Sequence, residues 1–133
     1  MNIDFAFICD YAEISNKINA LGIGFDTIFA TTVPATHPSF FLVFQVRANT
    51  VECGEKSFNV ALIDEDGKEI IPKISGKFPI PKPTEGTESK ARIAMQLGMV
   101  KFPKHGLYSI HAVIEGHDMI DIPLQVIPPP KSA

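Results

Sequence analysis

The chain has 133 residues, and 45% of them are hydrophobic, which is enough for the core of one domain. Its net charge of −3 leaves no basic excess to neutralise a phosphate backbone, so we expect no nucleic-acid partner. The run from Ile3 to Cys9 contains Asp4 and lacks the positive start of a signal peptide. No segment approaches the roughly 20 apolar residues of a membrane-spanning helix. We therefore expect a cytoplasmic protein without a membrane partner.

The N-terminal segment predicts two strands, separated by a stretch with two interpretations. Every second residue from Ile3 to Cys9 is apolar, which predicts a strand over residues 3–9. Asp10-Tyr11-Ala12-Glu13 resembles a helix capping box, and apolar residues follow at helical spacing up to Leu21. Ser15-Asn16-Lys17, however, is a typical turn sequence. We favour a hairpin whose second strand runs over residues 17–29, and a short helix is the alternative.

Residues 40–46 form an apolar run that follows the predicted loop over residues 32–38. Its two faces are Phe40, Leu42, Phe44 and Val46 on one side, and Phe41 and Val43 on the other. This pattern predicts a central strand that is buried on both sides, or a strand that faces a partner. If one face lies outside the core, Phe41 and Val43 are exposed apolar residues, and such patches often mark interfaces.

The middle of the chain predicts short strands joined by turns. Residues 58–63 alternate, and Asp64-Glu65-Asp66-Gly67 favours a tight hairpin, because Asp-Gly supplies the positive φ that such a turn needs. The chain is then predicted to return as a strand over residues 69–74, which Pro72 places at a sheet edge or in a bulge. The proline-rich residues 79–88 predict the longest loop.

The C-terminal segment contains the clearest pattern of the chain. Apolar side chains alternate over residues 106–114 and, after a turn, over residues 119–127, which predicts a closing antiparallel hairpin. Tyr108 lies where immunoglobulin-like sandwiches place a corner tyrosine, whose hydroxyl bonds to the backbone a few residues upstream. About eight short strands without helical crossovers predict an all-β fold, a single antiparallel immunoglobulin-like β-sandwich. We place this domain at residues 1–127 and a flexible proline-rich tail at residues 128–133.

Several segments together resemble a family of short bacterial proteins of unknown function. They are Phe7-Ile8-Cys9-Asp10-Tyr11-Ala12, Lys17-Ile18-Asn19-Ala20-Leu21-Gly22, Pro34 with His37-Pro38, the hairpin Asp64-Glu65-Asp66-Gly67, and the end from Gly106-Leu107-Tyr108 to Leu124-Gln125-Val126. The resemblance covers nearly the whole chain and implies a small all-β domain in which residues 10–17 form a hairpin turn. It implies no activity, ligand or catalytic residue.

No set of side chains predicts catalysis. No serine lies in a Gly-x-Ser-x-Gly elbow. Cys9 and Cys53 lack the spacing of a zinc site, and in a cytoplasmic protein we expect two reduced thiols. We expect solvated histidines, since His105 and His117 lie in turns at opposite ends of one predicted strand and cannot share a metal. The sequence therefore predicts no enzyme, no catalytic residue, no metal site and no cofactor.

Binding is the function that the pattern favours. Asp10 and Tyr11 place a polar group beside an aromatic ring at the first turn, and Phe41 and Val43 offer a sheet face. We predict a non-catalytic binding or assembly module that acts through a sheet face or edge, either as a homo-oligomer or with another protein. The alternative is a loop-based binder of calcium or a small polar ligand, which would use residues 64–69 or 10–16. A hydrolase ranks last.

Overall fold

The fold is that of a computed structural model, which describes residues 1–115, 117 and 119–130. It is all-β, as predicted. The strands are β1 (Asn2–Cys9), β2 (Tyr11–Ile14), β3 (Ile18–Leu21), β4 (Thr27–Phe29), β5 (Ala35–Asn49), β6 (Gly54–Asp64), β7 (Ile74–Ile80), β8 (Glu88–Phe102), β9 (Gly106–Ile114) and β10 (Ile120–Ile127). A short 3₁₀ helix spans Thr50–Glu52. The described part of the chain contains no helix with the length and apolarity to cross a membrane.

The strands form two larger sheets and one small hairpin. The first sheet has the order β1-β5-β8, the second has the order β4-β10-β9-β6-β7, and β2 pairs with β3 alone. The pairs are antiparallel except for β4, which runs parallel to β10. The prediction of purely antiparallel pairing is therefore wrong at one edge of the second sheet, where β4 runs in the same direction as β10.

One hydrophobic core contains the inner faces of both larger sheets. Phe44 on β5 meets Phe78 on β7 edge to face, with ring centroids 6.1 Å apart. At the other end, Phe102 on β8 meets Tyr108 on β9 at 5.0 Å. Edge-to-face pairs of this kind add to the free energy of burying the rings. The sheets are therefore joined by aromatic contacts near both ends of the core.

Tyr108 forms the corner that the sequence predicts. Its hydroxyl donates to the carbonyl oxygen of Lys104 at 2.6 Å, and the Lys104 N–H lies 3.3 Å from the same hydroxyl oxygen. Tyr108 is 3% exposed, so its hydroxyl has a partner although the ring is buried. The turn between β8 and β9 is thereby tied to the core.

Two predicted strands have different positions in the structure. The stretch over residues 69–74 contains one isolated bridge, Ile63 with Glu69, and the strand that pairs with β6 is β7, which begins at Ile74. Pro72 has no N–H to donate to a ladder, so pairing resumes only beyond it. The predicted strand over residues 17–29 is divided into β3 and β4, because Gly22 and Gly24 adopt φ values of 69° and 79°.

The structure also decides between the two interpretations of the first turn and shifts the start of β5. The turn at residues 15–17 joins β2 to β3, so the helix alternative is wrong. β5 begins at Ala35, within the predicted loop. Of the predicted closing turn, residues 116 and 118 lie outside the described residues. The same holds for residues 131–133 of the predicted tail, and residues 128–130 carry no regular secondary structure.

Candidate functional site

The β2–β3 hairpin lies on the outer face of the three-stranded sheet and covers the apolar end of that face. Ala12, Ile18 and Ala20 of the hairpin belong to one cluster with Cys9 and Val43 of the sheet. Ala12 and Ala20 pair directly across the hairpin, and their small side chains let the hairpin approach the sheet closely. Cys9 and Val43 are consequently 0% exposed.

Main-chain hydrogen bonds close the base of the hairpin. The N–H of Asp10 donates to the carbonyl oxygen of Leu21 at 2.9 Å, and the N–H of Gly24 donates to the carbonyl oxygen of Ile8 at 2.8 Å. A Cβ at Gly22 would lie 2.1 Å from a carboxylate oxygen of Asp10, and φ is 69° at this residue. Position 22 therefore requires glycine for two reasons, and the base of the hairpin has a fixed geometry.

A groove of about 670 Å³ runs between β1 and the hairpin. Phe5 and Phe7 contribute stacked rings from β1, with centroids 5.8 Å apart. The lining is mainly apolar and consists of Phe5, Phe7, Tyr11, Glu13, Ile18, Asn19, Ala20, Leu21 and Ile23. We call this surface the hairpin groove.

Four apolar residues of the hairpin groove are exposed to solvent. The exposed fraction is 38% for Phe5, 49% for Tyr11, 69% for Leu21 and 61% for Ile23. They lie around one concavity, whereas single exposed apolar residues are common on any protein surface. A contiguous apolar concavity of this kind is typical of a ligand or partner site.

Glu13 is the only charged residue that lines the hairpin groove, and it has no ion-pair partner among the described residues. Next to Phe5 the sheet face becomes polar, and Asp4 there is paired with Arg47. Asp4 accepts hydrogen bonds from Gln45 at 2.6 Å and from Arg47 at 3.3 Å. The Gln45 bond, and then Arg47, hold the pKa of Asp4 below its usual range.

The structure brings the four predicted site residues together. Tyr11 contacts Phe41 edge to face, with ring centroids 5.4 Å apart. Asp10 lies at the base of the hairpin, and Val43 lies beneath it. Phe41 is half-buried and Val43 is fully buried. The hairpin of the same chain therefore covers the face of β5 for which the sequence indicated no covering segment. Val43 cannot touch another molecule while the hairpin is in place.

Apart from Tyr11, the apolar residues of the groove were not predicted as a site. Phe5 and Phe7 belong to the alternation that predicted β1, but alternation alone does not show which face of the strand is the outer one. Leu21 and Ile23 were assigned to a continuous strand. The available signal was that Leu21 and Ile23 flank Gly22 in a short segment where glycines break the strand.

His37, His105 and His111, which we expected to be solvated, are half-buried and have structural partners. Nε2 of His105 donates to the carbonyl oxygen of Ala30 at 2.8 Å. His37 packs against both Phe25 and Phe40, and burial lowers its pKa. Nε2 of His111 lies 3.7 Å from Oδ1 of Asp121, and the Ser109 hydroxyl donates to the same oxygen. In that group the carboxylate stands between serine and histidine, whereas a hydrolase triad needs the histidine in the middle.

The hairpin at residues 64–69 was predicted as an alternative calcium site, but its first carboxylate, Asp64, bonds to the backbone of its own turn. Oδ1 of Asp64 accepts hydrogen bonds from the N–H groups of Asp66 and Lys68, both at 2.9 Å. These bonds, that from Lys68 first, lower the pKa of Asp64. Among the described residues, no three histidine, cysteine, aspartate or glutamate side chains converge as metal ligands would. Asp64 is therefore explained by the turn that it stabilises.

These features belong to a small all-β protein with a covered sheet face and an apolar groove, and the sequence assigns it to a family. Residues 4–127 match the model of a family of unknown function (DUF6941), and the chain belongs to that family. No curated protein matches the chain. The predicted membership of a family without a known function is thus confirmed, while the predicted bacterial origin stays a prediction.

Proposed function

We propose that this protein is a non-catalytic binding module that takes up part of a partner protein in the hairpin groove. The observation that carries the proposal is the contiguous exposed surface of Phe5, Tyr11, Leu21 and Ile23 around a cavity of about 670 Å³. Burying such apolar groups on association gives about 25 cal/mol per Å² before the costs of association are subtracted. The groove can therefore supply the anchor of an interface.

We propose further that the sandwich is immunoglobulin-like and acts as a rigid support for this groove. The order β10-β9-β6-β7 corresponds to the G-F-C-C′ order of that fold, and the order β1-β5-β8 corresponds to A-B-E. The corner formed by Tyr108 supports the same assignment. The free thiols of Cys9 and Cys53 fit a reducing compartment, which supports a cytoplasmic location.

A selection of random peptides on the immobilised protein tests the binding function. Leu21→Arg fills the groove with a charged side chain, and the leucine is 69% exposed, so the fold should tolerate the change. Leu107→Arg is the matched control, because Leu107 is 58% exposed and lies outside the groove. We expect peptides whose affinity falls at least about tenfold on Leu21→Arg and is unchanged on Leu107→Arg. A selection that yields no peptide, or peptides with equal affinity for both variants, would refute the proposal.

A further inference from the structure

The edge of β3 is open where it borders the hairpin groove. β3 pairs with β2 and with no other strand in the described part of the chain. Its four consecutive residues, Ile18 to Leu21, all line the groove, so the groove follows the strand along its length. An open strand edge offers main-chain N–H and C=O groups to an extended segment, which can add as a further strand.

The charge of the groove selects among such segments. Glu13 lies on β2 opposite Asn19 of β3, and both side chains line the groove. Among the described residues that line the groove there is no lysine, arginine or histidine. An occupant that carries a cation would pair with Glu13, whereas an acidic occupant would be repelled.

We infer that the occupant of the hairpin groove is an extended segment of another protein that carries an apolar side chain and a lysine or arginine. Its main chain adds to the free edge of β3, its apolar side chain rests on Phe5 and Phe7, and its cation pairs with Glu13. The inference rests on the proposed function, since it specifies the chemistry of the partner at the same groove.

Short capped peptides of alternating threonine and valine, with one phenylalanine and one variable position, test the charge preference by fluorescence anisotropy. The variable position is lysine, glutamine or glutamate. We expect the lysine peptide to bind up to about fivefold more tightly than the glutamine peptide, and the glutamate peptide to bind most weakly. Glu13→Gln should abolish the difference between lysine and glutamine. The control Glu85→Gln, which alters an exposed residue outside the groove, should retain it.

N-methylation of the lysine peptide tests the addition to β3. Only every second N–H of an added strand faces its neighbour, so methylating one alternate set should weaken binding about tenfold and methylating the other should have little effect. Equal behaviour of the two methylated peptides would overturn the edge addition.

The remaining outcomes separate the inference from the proposed function. If the three peptides bind equally, and binding is still lost in Leu21→Arg, the groove binds peptides without a charge preference and only the inference fails. If none of them binds although the random selection succeeds, the inference fails in the same way. If the protein alone dimerises and Leu21→Arg abolishes the dimer, the occupant is a second copy of the chain, which also overturns the inference.

Discussion

The contact between Tyr11 and Phe41 should control how often the hairpin leaves the sheet. Tyr11 is 49% exposed, so the protein covers about half of a side chain that can bury roughly 200 Å². Burial of about 100 Å² contributes up to about 2.5 kcal/mol to docking of the hairpin. The alanine of Tyr11→Ala still buries part of this area, so the loss is smaller than this value. We therefore expect Tyr11→Ala to destabilise the docked hairpin by about 1–2 kcal/mol.

Cys9 reports this opening directly. It is 0% exposed beneath the hairpin, its thiol donates to the carbonyl oxygen of Tyr11 at 3.4 Å, and burial raises its pKa. A thiol reagent can reach Cys9 only after the hairpin opens, so its labelling rate follows the population of the open form. In a Cys53→Ser background, Tyr11→Ala should increase the labelling rate about 5–30-fold.

The control is Ile14→Ala, because Ile14 is 41% exposed on the same hairpin and is not part of the cluster around Val43. It should change the labelling rate much less than Tyr11→Ala does. Urea unfolding of each variant separates local opening from global unfolding. Labelling of the parent at the rate of a free thiol would show that the hairpin is not docked. Equal rates in the parent and Tyr11→Ala would refute the role of the ring contact.

Other parts of the fold give three further predictions. Tyr108→Phe removes the hydrogen bond to Lys104 and should lower the free energy of unfolding by about 1 kcal/mol in urea titrations, with an unchanged m-value. Gly76→Ala places a Cβ 2.8 Å from the ring of Phe58, so it should lower Tm, and Phe58→Leu in the same chain should restore most of the loss. Asp64 has a lowered pKa in the folded state, so its contribution to stability is present above about pH 4 and is lost as the pH falls through the folded pKa. The acid-induced fall in Tm should be smaller in Asp64→Asn; an equal fall would contradict this assignment.

The β9–β10 hairpin could be predicted because its signals are local. Apolar alternation marks both strands, and the position of Tyr108 predicted the hydrogen bond that its hydroxyl makes. The turn at residues 15–17 was predicted for the same reason, because turn preference depends on the residues in the turn itself.

The position of β7 and the cover over Val43 depend on contacts between distant segments. β7 pairs with β6 in a register that places Gly76 opposite Phe58, and only the folded sheet shows that the ring needs the space above that glycine. Val43 is covered by a hairpin whose inner residues include Ala12 and Ala20, and alanines give a weak apolar pattern. The sequence identified an apolar face on β5, but periodicity does not indicate which segment covers such a face.

If the hairpin groove is the binding site that we propose, the closed base of the hairpin allows its specificity to be exchanged. The hydrogen bonds of Asp10 and Gly24 bring the two ends of the hairpin together, and the flanking strands β1 and β4 belong to ladders in different sheets. Residues 12–21 can therefore change in length and composition without disturbing either ladder, provided that Tyr11 keeps its contact with Phe41 and that the residues facing Val43 stay as small as Ala12 and Ala20. On the proposed function, grafting another hairpin onto the same base would redirect binding while the two larger sheets stay unchanged, much as loop exchange does in antibody variable domains.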